Sequence, residues 1–222
     1  GTRITFLPDE QVFPETEFKY DILQKRIREL AYLNAGANIT FQDDRVQKKD
    51  VYHYEAGIKA FVEYLNEGKN AVSEVLHFSR EEAGTGISCE IAMQYNDSYA
   101  ENVLAFANNI RNIDGGTHLS GFRTALTRTM NAYARGANML KGGATPSGED
   151  LREGLTAVIS VKVPEPHFEA QTKVRLSNPE VASFVETMIN EQLAIYLEEN
   201  PGEARRVLNK AIQAAAAREA AR

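Results

Sequence analysis

Residues Leu155–Glu180 read LTAVISVKVPEPHFEAQTKVRLSNPE. Leu155–Pro164 is apolar at both alternating sets of positions, the pattern of a strand covered above and below rather than one with a wet face. Asn178 and Pro179 then make a helix start, with Asn at the capping position and Pro at the first helical position, where its missing N–H is no loss. Between the two lies a short polar stretch carrying Gln171, Thr172 and Lys173. A buried strand, a loop and a helix in that order predict an α/β body with a lysine on a turn between two elements. Such a lysine is either a solvated spacer or a point charge directed at a phosphate.

Upstream, DGGTHLSGF is a glycine-rich turn entering a long helix, roughly Leu119–Ala137, with Phe122, Leu126, Thr129 and Tyr133 on its inner face. GANMLKGGATPSGED follows as a loop. Ile87, Cys89, Ile91, Met93 and Tyr95 alternate with Ser88, Glu90, Ala92 and Gln94, which predicts one buried and one wet face. EVLHFSREE and NVLAFANNI are further strands. Ile58, Phe61, Val62 and Leu65 form a helical stripe stopped by Gly68. Nearer the start, RITFLP reads as a short strand ended by Pro8. A helix with Leu23, Ile27 and Leu30 on one face follows, capped by Gly36, and then a hairpin made of ANITFQDD and DVYHYE. Downstream, the helix begun at Pro179 runs to about Glu199. Asn200-Pro201 starts a last helix with Leu208, Ala211, Ile212 and Ala215 on one face. The expected organisation is a mixed α/β body, residues 1–178, and a helical tail, residues 179–222, bent once at Asn200-Pro201. The opening at Gly1 and the unstopped Ala-rich end suggest a domain of something longer.

The chain has 222 residues, 43% hydrophobic and 25% charged, an ordinary globular balance. A net charge of −6 argues against a general polyanion binder, so any nucleic-acid contact needs a local basic patch. With the single Cys89 there is no internal disulfide and no cysteine-based zinc site, which suits a reducing cytoplasm. No apolar run approaches the ~20 residues of a membrane helix, and no signal-peptide pattern opens the chain.

Familiar catalytic signatures are missing: no GxxxxGKS loop, no GxSxG elbow and no HExxH. His53, His77, His118 and His167 are scattered without ligand spacing and are read as structural. Cys89, on the apolar face of a strand, is read as a core residue. DGGTH could cradle a phosphate at a helix N-terminus, but a tight turn capped by Thr117 is the simpler reading. Residues 115–148 carry Arg123, Arg128, Arg135 and Lys141 and no acid. Thr124, Arg128, Asn131 and Arg135 fall on one helix face, which could touch DNA phosphates without reading bases or simply be solvated. In the Gln171–Lys173 turn, an ammonium and an amide could each bind a terminal phosphate oxygen, at about 1.5–3 kcal/mol per charge-assisted bond. A contact to the γ-phosphate alone would distinguish ATP from ADP.

Four blocks occur together in this order: KRIRELAYLNAG, NNIRNIDGGTHLSGFRTALTRTMNAYA, EDLREGLTAVISVKVPEPHFEAQTKVRL and LEENPGEARRVLNKAIQAAAAREAAR. Together they resemble the second half of the ATPase region of the DNA gyrase B family, the transducer domain of bacterial type IIA topoisomerases, along essentially the whole chain. The resemblance implies a mixed sheet flanked by helices, with a left-handed β-α-β crossover against the usual right-handed rule, and a long C-terminal helical tail. It implies a preceding GHKL domain that holds most of the ATP and Mg contacts and the water-activating glutamate, so that this segment alone would bind neither and be inactive. It implies that Lys173 and Gln171 contact the ATP γ-phosphate, with Lys173 the catalytic charge. It further implies a second gyrase B protomer, gyrase A and a transported DNA duplex as partners, with Arg123 and Arg128 as DNA-contact candidates. The tail would lead towards the DNA-cleavage region, and the function would be coupling of ATP turnover to supercoiling. The equivalent domain of the topoisomerase IV ATPase component, acting in decatenation, has the same fold and lysine and is the nearest alternative, only weakly separated by this segment; a stand-alone nucleic-acid-binding module is a rival of another class.

Overall fold

In the strand Leu155–Lys162 every residue but Lys162 is buried, as its two apolar faces require. The computed structural model describes residues 1–222, with elements α1 (Tyr20–Leu33), β1 (Asn38–Asp43), β2 (Lys48–His53), α2 (Ile58–Leu65), β3 (Leu76–Glu81), β4 (Ser88–Tyr95), β5 (Asn102–Ala107), β6 (Ile110–Arg111), α3 (Thr117–Gly136), α4 (Gly148–Arg152), β7 (Leu155–Lys162), α5 (Pro179–Glu199) and α6 (Pro201–Ala220). Five strands form one mixed sheet in the order β3-β4-β7-β5-β6. At its centre Ile159 of β7 faces Ile91 of antiparallel β4 and Ala105 of parallel β5. Parallel neighbours need a crossover, and here α3 lies on it. The chain packs as two units, Gly1–Glu55 and Ala56–Arg222.

In the first unit β1 and β2 make the expected antiparallel hairpin, with Thr40 opposite Val51. Tyr32 of α1 stacks on Tyr54 at 3.8 Å between ring centres. Leu23, Ile27 and Leu30 are only half-buried, and Glu29, Ala31, Tyr32 and Leu33 are the buried residues of this helix. Gly36 takes φ +80° and donates its N–H to Tyr54 O at 3.1 Å, turning the chain into the hairpin. RITFLP is not a strand. Ile4, Phe6 and Leu7 stand 82%, 73% and 91% exposed and make no ladder. A strand exists only with a partner to satisfy its backbone, and alternation alone supplies none.

In the second unit the sheet is covered on both faces. Cys89, Ile91, Met93, Leu155, Ala157, Ile159 and Val161 share one core with Phe122, Leu126 and Met130 of α3 and Val185, Met188 and Ile189 of α5. The other face carries Ala92, Phe106 and Val158, all fully buried, on the side of α2, whose Phe61 ring lies 6.3 Å from Phe106. The wet face expected for β4 is therefore partly covered at Ala92. α3 and α5 pack so closely that a Cβ on Gly121 would stand 2.6 Å from Ala182 O. The Asn108-Asn109 turn between β5 and β6 has φ +48° and +65°, the left-handed pair a two-residue hairpin turn demands and Asn tolerates.

The chain bends at Asn200-Pro201 as expected: Asn200 N–H closes α5 on Tyr196 O at 2.9 Å, and Pro201 opens α6. No packing boundary coincides with residue 178. α5 buries seven side chains, from Val181 to Leu197, and α6 buries Ala204, Val207, Leu208, Ala211 and Ala215. α6 is tied down along its length. Glu203 accepts from Glu74 N at 3.0 Å, Lys210 donates to Ser98 O at 2.8 Å, and Arg218 holds the buried Asp150 of α4 at 2.9 Å. Burial pushes the Asp150 carboxyl up, but its bonds from Arg218 and Ser147 outweigh that and hold it below the usual range.

A pinned lysine loop as the candidate functional site

The segment from Pro164 to Ser177 leaves β7 and returns to α5 as a loop whose base is closed by one side chain. Asn178 is fully buried; its Oδ1 accepts His167 N–H at 2.7 Å, and its Nδ2 donates to Glu165 O at 3.0 Å and to Glu180 at 2.8 Å. Asn178 thus holds the N-cap position expected of it, while its side chain ties the loop instead of capping the helix. Above it Ser177 N–H meets His167 O at 2.8 Å and Glu169 N–H meets Arg175 O at 3.1 Å. At the tip Lys173 N–H closes a turn on Ala170 O at 3.0 Å, with Lys173 at φ +56°.

The loop is also fastened sideways to the glycine-rich turn. Asp114 N–H bonds Val174 O at 2.9 Å, Leu176 N–H bonds Gly115 O at 3.2 Å, and Thr117 N–H bonds Leu176 O at 3.1 Å. A Cβ on Gly116 would lie 2.4 Å from Leu176 O, so glycine is what admits the loop backbone here. The two glycines of DGGTH therefore serve a contact between two backbone segments, and the N-terminus of α3 is taken up by Leu176 rather than left open. The residue at the N-cap is Gly116, and the Thr117 hydroxyl, expected as the cap, is buried without a partner.

Behind Lys173 sits a polar pair. Asn112, 3% exposed, donates Nδ2 to Lys173 O at 2.7 Å and accepts from His118 Nε2 at 3.0 Å through Oδ1. Because the amide nitrogen faces a carbonyl, the amide oxygen faces the imidazole, and Nε2 carries the proton. Nδ1 of His118 is buried with no partner. Burial lowers its pKa to about 4, so the ring is neutral near pH 7.

What the loop tip offers is a cation and a donor. Gln171 and Thr172 are exposed, and the half-buried Lys173 places its ammonium 6.0 Å from the Phe168 ring centre. Of the two acids in the loop, Glu169 is occupied by Arg175 at 3.0 Å, and Glu165 lies at the base, where its carbonyl accepts from Asn178. A charge free of a carboxylate, on a backbone fixed from behind, fits an incoming phosphate oxygen. Arg123 and Arg128 are placed differently. Arg123 pairs with Glu101 at 2.8 Å, which Arg152 also reaches at 3.0 Å, and Arg128 lies 3.6 Å from Glu186. Asn131 does not share their exposed face. It is buried and donates to Pro146 O at 2.9 Å. Cys89 is a buried thiol pushed up by desolvation, as a core residue should be. No three His, Cys, Asp or Glu side chains converge on a common point, and no helix is long and apolar enough to cross a membrane.

The family model described as DNA gyrase B matches residues 57–222. The chain belongs to the DNA gyrase B family. A DNA gyrase B protein from Clostridium acetobutylicum is 51% identical over the whole chain, which spans 35% of that relative's length. The corresponding B component of DNA topoisomerase 4 from Enterococcus faecalis is 48% identical over 99% of the chain and 32% of its own. The crystal structure of the 43K ATPase domain of Thermus thermophilus gyrase B, in complex with an aminocoumarin, matches with a TM-score of 0.84 and 38% identity, over 96% of this chain and 58% of that one. The mixed sheet flanked by helices is therefore an architecture the gyrase B family shares. The chain spans only about a third of the curated gyrase relatives it matches.

Asn112 does not stand out in the sequence, and His118 reads there as merely structural. The one available signal is proximity, since both flank the same glycine pair.

Proposed function

We propose that this chain is the transducer segment of a gyrase B-type protein, coupling ATP binding and hydrolysis in a GHKL domain to DNA strand passage and supercoiling. The observation that carries the reading is Lys173, a cation without a carboxylate partner on a loop tip pinned from behind. In this reading the loop reaches the γ-phosphate from outside the pocket that holds the rest of ATP and Mg. Lys173 stabilises charge that grows on the phosphoryl oxygens, and Gln171 donates a second bond. When the γ-phosphate leaves, the contact is lost, so the angle between this segment and its neighbour reports nucleotide state. Residues 1–178 act as the body and residues 179–222 carry motion towards the DNA-cleavage region. The complete enzyme is a cytoplasmic, ATP-dependent type IIA topoisomerase working with a second gyrase B protomer and gyrase A.

In the full-length protein, Lys173→Ala should lower kcat for ATP by about a hundredfold or more, and unchanged turnover would sink the reading. Arg123 and Arg128 are the proposed backbone contacts to the transported duplex, each exchanging a carboxylate for a phosphate. Changing both to Glu should weaken DNA-stimulated ATP turnover. A topoisomerase IV role is the second reading, favoured by the 48% identity to such a protein; supercoiling against decatenation by the assembled enzyme separates the two.

A further inference from the structure

We propose that Asn112, backed by His118, is a positioning residue for Lys173 that sets where the lysine charge is presented. The inference rests on the role given to Lys173 above, but its geometric half stands without it. Lys173 sits at φ +56°, a backbone conformation that a residue with a Cβ adopts only when something holds it. Beside the turn that its N–H closes on Ala170 O, a side chain 61 residues away holds it: the Lys173 carbonyl accepts Asn112 Nδ2 at 2.7 Å. Neither face of the amide is free to swap. Its oxygen is engaged by His118 Nε2 at 3.0 Å, and the imidazole is fully buried in the first turn of α3. Main-chain bonds on either side of Asn112 fix it in turn: its N–H to Ala105 O at 2.9 Å, and Gly115 N–H to its own carbonyl at 3.0 Å. The sheet and α3 therefore dictate one carbonyl direction at the loop tip, and through it the direction of the lysine side chain.

The test uses two measurements. In the 222-residue chain, cleavage by trypsin after Lys173 reads the order of the tip with no nucleotide present. Asn112→Asp keeps the shape and the acceptor for His118 and, ionised, replaces the donor with a charge; Asn112→Ala removes both bonds without adding a charge. Faster cleavage in both variants, at a temperature where both remain folded by circular dichroism, is expected. Wild-type cleavage rates in both overturn the positioning role whatever the ATP assays give. In the full-length protein Asn112→Asp should lower kcat about tenfold with KM nearly unchanged, because misplacing a charge costs the transition state more than the ground state. In a Lys173→Ala background it should lower kcat no further, and an additive loss overturns the claim that it acts through the lysine. His118→Gln, whose amide can still donate to Asn112, should restore most of what His118→Ala loses, and equal loss in both removes His118 from the proposal. If Lys173→Ala leaves turnover intact while the cleavage result holds, the function proposed for the loop fails and the pin survives.

Discussion

The carbonyl of Lys173 is held at 2.7 Å by the buried amide of Asn112, while the ammonium of the same residue, 6.0 Å from the Phe168 ring centre, has no carboxylate to answer it. One end of the residue is thus fixed and the other left to act.

Gly116→Ala should destabilise by roughly 2–4 kcal/mol, because a Cβ would stand 2.4 Å from Leu176 O on a backbone at φ +138°. The neighbour is main chain and has no rotamer to yield. Gly143→Ala, where nothing lies within 4 Å of the added carbon, is the control and should change stability by under ~0.5 kcal/mol. Urea unfolding monitored by circular dichroism measures both.

Lys173→Gly should not cost stability. It relieves a left-handed backbone at φ +56°, worth about 1 kcal/mol, and loses a similar amount to greater freedom of the unfolded chain. A thermal midpoint within a few degrees of wild type is expected. A drop of ~2 kcal/mol or more would mean that the lysine side chain is part of the scaffold.

Stability should fall between about pH 6.5 and about 4 through His118. The folded ring has its pKa lowered to about 4 by burial, whereas the unfolded ring titrates near 6.5. Between those values the unfolded chain binds a proton that the folded chain refuses, so stability rises with pH there. The full effect is on the order of 3 kcal/mol. His118→Gln should flatten the slope in that window and leave it unchanged above about pH 7; an unaltered profile would show that the folded ring takes up its proton over the same range as the unfolded one.

Arg218→Ala should release the last turns of α6. The guanidinium holds Asp150 at 2.9 Å, and Asp150 also serves the Ser147 capping box of α4. Without Arg218 the Asp150 carboxylate keeps only its bonds from Ser147. Amide exchange in residues 211–220 should accelerate before that in α5. Uniform exchange across both helices would place the tie elsewhere.

Much of this was legible in the sequence. β7 declared itself by two apolar faces, α3 by the spacing of Phe122, Leu126 and Thr129, and the bend by Asn200-Pro201, because these signals are local and periodic. What failed was what depends on a distant partner. RITFLP alternates well enough but has no strand to pair with. Asn131 falls in angular register with Arg128 yet turns in to reach Pro146. Thr117 has the chemistry of a cap, but the helix starts one residue earlier, and Ser120 N–H, which its hydroxyl would have served, already bonds Gly116 O. The proposed contacts Lys173 and Gln171 come from the resemblance, whereas the Asn112–His118 pair behind Lys173 depends on a contact across 61 residues that no window along the chain contains.

The arrangement of stem and tip has an evolutionary corollary. Asn112, Gly116, His118 and Asn178 are interlocked, so drift at any one of them is felt by the rest. Thr172, out in the water with no such obligation, is free to vary. Descendants of this sequence could therefore retune what the loop greets without relearning how to build it.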